Sequence, residues 1–128
     1  MWAWEHEPAS LATGILDDET YDWLAIVRGM LLTGGWPVVA SEHNVLEAWC
    51  AGRGEGIEAS ATGTAGLAGG MSLAQAGLLH PHDRVGVLFT GSRSMSRTIR
   101  VALSETCNAY SDMPASHRRS KGSAESAR

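Results

Sequence analysis

The residues best placed for chemistry lie in "RVGVLFTGSRS", residues 84–94. Val85 to Phe89 make a short apolar run with the composition of a buried strand. Thr90 and Gly91 follow at once. In open α/β sheets, ligands bind outside the carboxyl ends of strands, so a hydroxyl at such an end faces the place where a ligand sits. Thr90 is either a plain turn residue or a neutral donor and acceptor presented to a bound group.

Other constellations are weaker. Ser60 and Thr62 precede a glycine-rich helix and border a helix N-terminus, which is an anion-binding geometry. The spacing is neither GxGxxG after a strand nor a Walker loop, and tight helix packing explains the glycines better. His80, His82 and Asp83 surround Pro81 without a second ligand cluster, so they read as a polar turn and no metal site is expected. Asp17, Asp18, Glu19 and Asp22 stand at a helix start, where capping and the helix dipole account for them. Ser41, Glu42 and His43 are neighbours in sequence and make no catalytic triad by adjacency. The tryptophans at 2, 4, 23, 36 and 49 suit core or interface anchors.

The elements that must position Thr90 follow from the pattern. A first helix is expected after Asp17 or Asp18. Trp23, Val27, Met30 and Leu31 form one apolar stripe on it, and Gly34-Gly35 stops it. "WPVVA" (36–40) reads as a strand with Pro37 near its start. Ser41 caps a second helix, and Gly52, Gly54 and Gly56 end it. "GIEAS" reads as a brief extended segment, and a third helix runs from about Thr62 to Ala76, with Gly77 as its cap. Interior glycines cost about 1 kcal/mol each relative to alanine, so Gly63, Gly66, Gly69 and Gly70, in or near the helix, call for close approach of another backbone or a ligand, with Gly66 and Gly70 making a smooth face for packing. Helix alternating with strand predicts an α/β fold: a partial three-layer sheet with mostly parallel strands.

The chain has 128 residues, 44% hydrophobic and 19% charged, which suits one modest soluble domain. No apolar run is long enough to span a membrane, and "MWAWEHEP" lacks the basic start of a signal peptide, so a cytoplasmic protein is expected. Cys50 and Cys107 have no motif spacing and read as ordinary thiols. Residues 1–92 hold three basic and eleven acidic residues, whereas 93–128 hold seven basic and three acidic. The basic stretch lacks interleaved aromatics, so a solvated, disordered C-terminal tail is expected rather than a nucleic-acid contact.

Three ordered segments, "GILDDETYDWLAIVRGMLLTGGWPVVASE", "ATGTAGLAGG" and "VGVLFTG", together resemble the C-terminal portion of a pyridoxal-phosphate-dependent enzyme. The family is the tryptophan-synthase-β superfamily (fold type II), nearest its threonine-synthase-like branch, and the resemblance covers roughly residues 9–93. It implies two α/β domains with pyridoxal 5′-phosphate between them, a lysine holding the cofactor as a Schiff base, and a glycine loop holding its phosphate. It further implies that a hydroxyl at a late strand end bonds the pyridine nitrogen. Thr90 matches that hydroxyl, and Gly91 matches the glycine that turns the backbone beneath the ring. The implied reactions are elimination and replacement at the β or γ carbon of an amino acid.

The chain departs from the family in two parts. Its single lysine, Lys121, lies in the tail, and no segment matches the phosphate loop. The expectation is therefore a C-terminal fragment over 1–93 followed by a polar tail over 94–128. Such a fragment is inactive alone and completed by an upstream half of the enzyme or by homo-oligomerisation. The other class is a non-catalytic relic or interaction module.

Overall fold

The computed structural model describes residue 6 and residues 8–17, 21–91, 105–109 and 112. A 3-10 turn at Thr13–Ile15 precedes three helices: α1 at Trp23–Thr33, α2 at Glu42–Gly54 and α3 at Ala65–Gln75. Residues 105–109 are also helical.

The helix boundaries follow local chemistry. Helix α1 begins at Trp23 with Asp22 in the N-cap position, and no side chain caps it; Asp18, one of the expected caps, lies outside the described residues. It ends where Gly34 enters the left-handed region at φ +71°, and Gly35 N donates to Met30 O at 2.9 Å. That conformation is one glycine adopts readily and other residues rarely do. Helix α2 has the expected cap: Ser41 is extended, and its hydroxyl accepts from Asn44 N at 3.2 Å. Its far end closes as Gly56 N donates to Arg53 O and Ile57 N to Gly52 O, with Gly56 at φ +75°.

The core lies between α2 and α3. Ala12, Val45, Ala48, Trp49, Ala61, Ala68 and Cys107 pack as one cluster, with Leu46, Leu67 and Met71 against it. A polar network anchored on buried Asn44 and reaching exposed Gln75 joins the two helices. Asn44 Nδ2 donates to Ser72 Oγ at 2.9 Å and to Gln75 Oε1 at 3.1 Å, and Gln75 Nε2 donates back to Asn44 Oδ1. A satisfied buried amide of this kind fixes the register of two helices more specifically than apolar contact does.

The expected α/β sheet is not formed. Among the described residues there is no strand, and Ala59 alone makes an isolated bridge. Residues 36–40 and 84–90 make no backbone hydrogen bond to another described residue. Their composition suits strands, but a strand exists only against a second edge, and a sheet stable in water needs about three strands or a packed face. Both segments run beside the glycine face of α3 instead: Gly66 faces Val87 and Leu88, and Gly69 faces Val38.

Two further expectations change. Cys50 and Cys107 are joined in a disulfide with Cα atoms 5.3 Å apart, and are not separate thiols. Residues 105–109, inside the stretch expected to be disordered, form a helical turn that buries Cys107. Apart from Asp112, the rest of 94–128 lies outside the described residues. The apolar stripe of α1 forms on schedule but meets no core. Trp23, Leu24, Ile26 and Val27 are exposed, and Leu31 and Leu32 are 80% and 87% exposed. Among the described residues no helix is long and apolar enough to cross a membrane.

Candidate functional site

The turn between α2 and α3 is the hub on which Thr90 depends. Ala59 O accepts from the indole Nε1 of Trp49 at 3.2 Å, which ties the turn to α2. Ser60 Oγ accepts from Gly63 N at 3.0 Å, and Ser60 O accepts from Thr64 N. Thr64, almost fully buried, donates its hydroxyl to Ala61 O at 3.0 Å. Gly14 N donates to Thr62 Oγ1 at 3.0 Å, bringing the N-terminal segment to the same turn. Small hydroxyl residues suit this run because each can satisfy a backbone group locally.

Gly91 lands on this hub. Ser60 N donates to Gly91 O at 3.0 Å. The two glycine backbones cross so closely that a Cβ on Gly63 would stand 2.5 Å from Gly91 O and 2.7 Å from Gly91 N. A Cβ on Gly91 would stand 2.7 Å from Ser60 Oγ. Of the four glycines expected to meet a close neighbour, Gly63 does so, just before the first residue of α3. Within α3, Gly66 and Gly69 have ordinary contacts and Gly70 has open space.

Thr90 itself is exposed and makes no hydrogen bond to another described residue. Phe89, just before it, lies against Gly52 of α2. The geometry is thus a fixed backbone, Gly91 on Ser60 and Gly63, presenting an unengaged hydroxyl. Such a group can donate or accept one hydrogen bond and carries no charge at neutral pH. The Thr64 hydroxyl proton is spent on Ala61 O, whereas Ser60 and Thr62 accept from backbone amides and keep their O–H donors, so the turn suggested as an anion site retains two hydroxyl donors.

The remaining candidates resolve into structural roles. Asp83 Oδ2 accepts from His80 N at 2.7 Å and Asp83 N donates to His80 O, which makes the polar turn expected for "HPHD". No group of three or more His, Cys, Asp or Glu converges to hold a metal among the described residues. Ser41 caps α2, Glu42 accepts from Leu11 N, and His43 lies 3.9 Å from Glu47, so the three neighbours serve separate contacts. Of the tryptophans, Trp49 is a core anchor with Arg53 5.1 Å over its ring, and Trp23 and Trp36 are exposed. Trp2, Trp4 and Lys121 lie outside the described residues. An open cleft of about 320 Å³ at the start of α1, lined by Tyr21, Asp22, Trp23 and Arg28 among others, does not include Thr90.

Sequence reasoning missed the Asn44 network and the disulfide. The first had a signal, since Asn44, Ser72 and Gln75 are polar residues set within two otherwise apolar helix faces. The second had none, because 57 residues separate the cysteines and spacing does not report proximity at that range. In comparisons with protein-family models, curated proteins and solved structures, nothing matches this chain.

Proposed function

We infer that this chain supplies one wall of a pyridoxal 5′-phosphate site in a threonine-synthase-like enzyme of the tryptophan-synthase-β superfamily. Thr90 is the partner of the pyridine nitrogen, and Gly91 is the turn beneath the ring. The observation that supports this most is the pairing of an unengaged Thr90 hydroxyl with a Gly91 backbone fixed on Ser60 and Gly63. A neutral hydroxyl suits that nitrogen because it adds no counter-charge to the ring. When bound, the cofactor supplies the electron sink for chemistry at an amino acid's carbon skeleton.

The residues fit one edge of the cofactor and no more. The only lysine in these 128 residues is Lys121, and no segment matches the family's phosphate loop. Neither the amine that would hold the cofactor nor a phosphate cradle is supplied by the described residues. The chain alone is therefore catalytically silent, and its partner is an upstream half carrying both parts. Thr90 positions the ring and Gly91 leaves room for it. Without a positioned amine, reaction with an amino acid has no starting point.

The second class, a non-catalytic interaction module, draws on one observation: all the large apolar residues of α1 except half-buried Met30 are exposed. Co-expression separates the two. Paired with an upstream half that carries the lysine and phosphate loop, the chain should restore a cofactor label that borohydride fixes to that lysine. Thr90→Ala should then weaken or spectrally shift the bound cofactor. Restoration indifferent to residue 90, or a stoichiometric borohydride-fixed label on Lys121 of the chain alone, would contradict the proposal.

A further inference from the structure

The disulfide does more than link two cysteines. Cys50 sits within α2, next to the core anchor Trp49, and Cys107 is 7% exposed inside the same cluster. That cluster is thin. The buried hydrophobics are Val45, Trp49, Cys107 and otherwise alanines, so apolar burial alone gives this fold little to stand on. The loop closed by the bond, 57 residues in separation, contains the Ser60–Thr64 turn, all of α3, and Thr90 with Gly91.

We propose that Cys50–Cys107 is a redox clasp. Oxidised, it pins the 105–109 turn into the core and closes the loop that carries Thr90. Reduced, it releases that turn and loosens the same loop. The inference is independent of the cofactor reading, because it rests on the bond, the burial and the composition of the core.

The chemistry balances by exchange with small thiols and disulfides of the glutathione class. In oxidation, the two cysteine thiols reduce one molecule of such a disulfide. A sulfur–sulfur bond forms between Cys50 and Cys107, the sulfur–sulfur bond of the small disulfide breaks, and two small thiols leave carrying the two protons and two electrons. In reduction, a small thiolate attacks the Cys50 sulfur, since Cys50 is the less buried partner. Cys107 leaves as a thiolate and takes a proton from water. A second small thiol then frees Cys50, and the small disulfide is regenerated. Once protonated, Cys107 is a small side chain with no tether, and a cluster made mostly of alanines holds the 105–109 turn too weakly to keep it in the core.

The test uses the full chain purified without reductant. Peptide mapping under non-reducing conditions should recover one species linking the Cys50 and Cys107 peptides, and a thiol assay on the denatured chain should find none free. A series of glutathione redox buffers should then give one transition. Trp49 fluorescence and the fraction bridged should change together along it, and the melting temperature should fall by roughly 10 to 15 °C on reduction. Complete unfolding on reduction is the same result at its limit. The Cys50→Ser, Cys107→Ser double variant should behave as the reduced chain and ignore the buffer. Two free thiols in the chain purified without reductant would overturn the proposal. So would a bridged chain whose melting temperature and Trp49 signal are the same in both redox states.

Discussion

Helices α2 and α1 are of similar length and were equally legible as helices, yet they live differently. Helix α2 has a side-chain cap, a network anchored on buried Asn44, a core tryptophan and a disulfide. Helix α1 has no side-chain cap and buries nothing. Its apolar residues are more numerous than those of α2, so burial here does not follow apolar content. It follows whether a second surface is present. The difference teaches that α2 and α3, with the segments packed on them, form the core, while α1 and the segments at 36–39 and 85–89 leave much of their apolar surface exposed.

Substitutions can break this comparison, and the largest effect should come from its folded side. Trp49→Ala removes the core ring, its hydrogen bond to Ala59 O and the surface under Arg53, and should cost about 4 kcal/mol in denaturant unfolding. Gly63→Ala drives a Cβ into the Gly91 backbone and should cost about 3 kcal/mol, with Thr90 displaced along with Gly91. Asn44→Ala removes three hydrogen bonds between α2 and α3 and leaves a gap at a buried position, and should cost about 2 kcal/mol. On the other side, Leu32→Glu should change stability by only about 0.5 kcal/mol, because that side chain is already in water. The same change should reduce self-association in sedimentation if α1 is the contacting face. One change of comparable size has the opposite sign: Gly70→Ala has open space and should stabilise the chain by about 0.5 kcal/mol.

The helices were legible because their signals are local. Ser41 before the helix, Gly34 and Gly77 after helices, and the 3.6-residue spacing of apolar residues all act within a few residues. The sheet was misread because Val85 to Phe89 has the composition of a strand, while pairing depends on a distant edge that no local pattern reports. The glycines were half legible. Close approach was expected at Gly63, Gly66, Gly69 and Gly70, and it occurs at Gly63, where Gly91 crosses, while Gly66 and Gly69 have ordinary contacts and Gly70 has open space. At the candidate site, Thr90 and Gly91 could be named from one strand-like stretch. Their anchoring by Ser60 and Gly63 is a contact between segments about 30 residues apart, and it emerges only from the fold.

The division between the disulfide-closed α2–α3 core and an exposed α1 is tested most directly by hydrogen exchange on the dilute, oxidised, monomeric chain. Amides of α2 and α3 should be protected as one cooperative unit, with the strongest protection around Val45 to Cys50, while amides of α1 should exchange with little protection. Equal protection of α1 and α2 in the monomer would contradict the account.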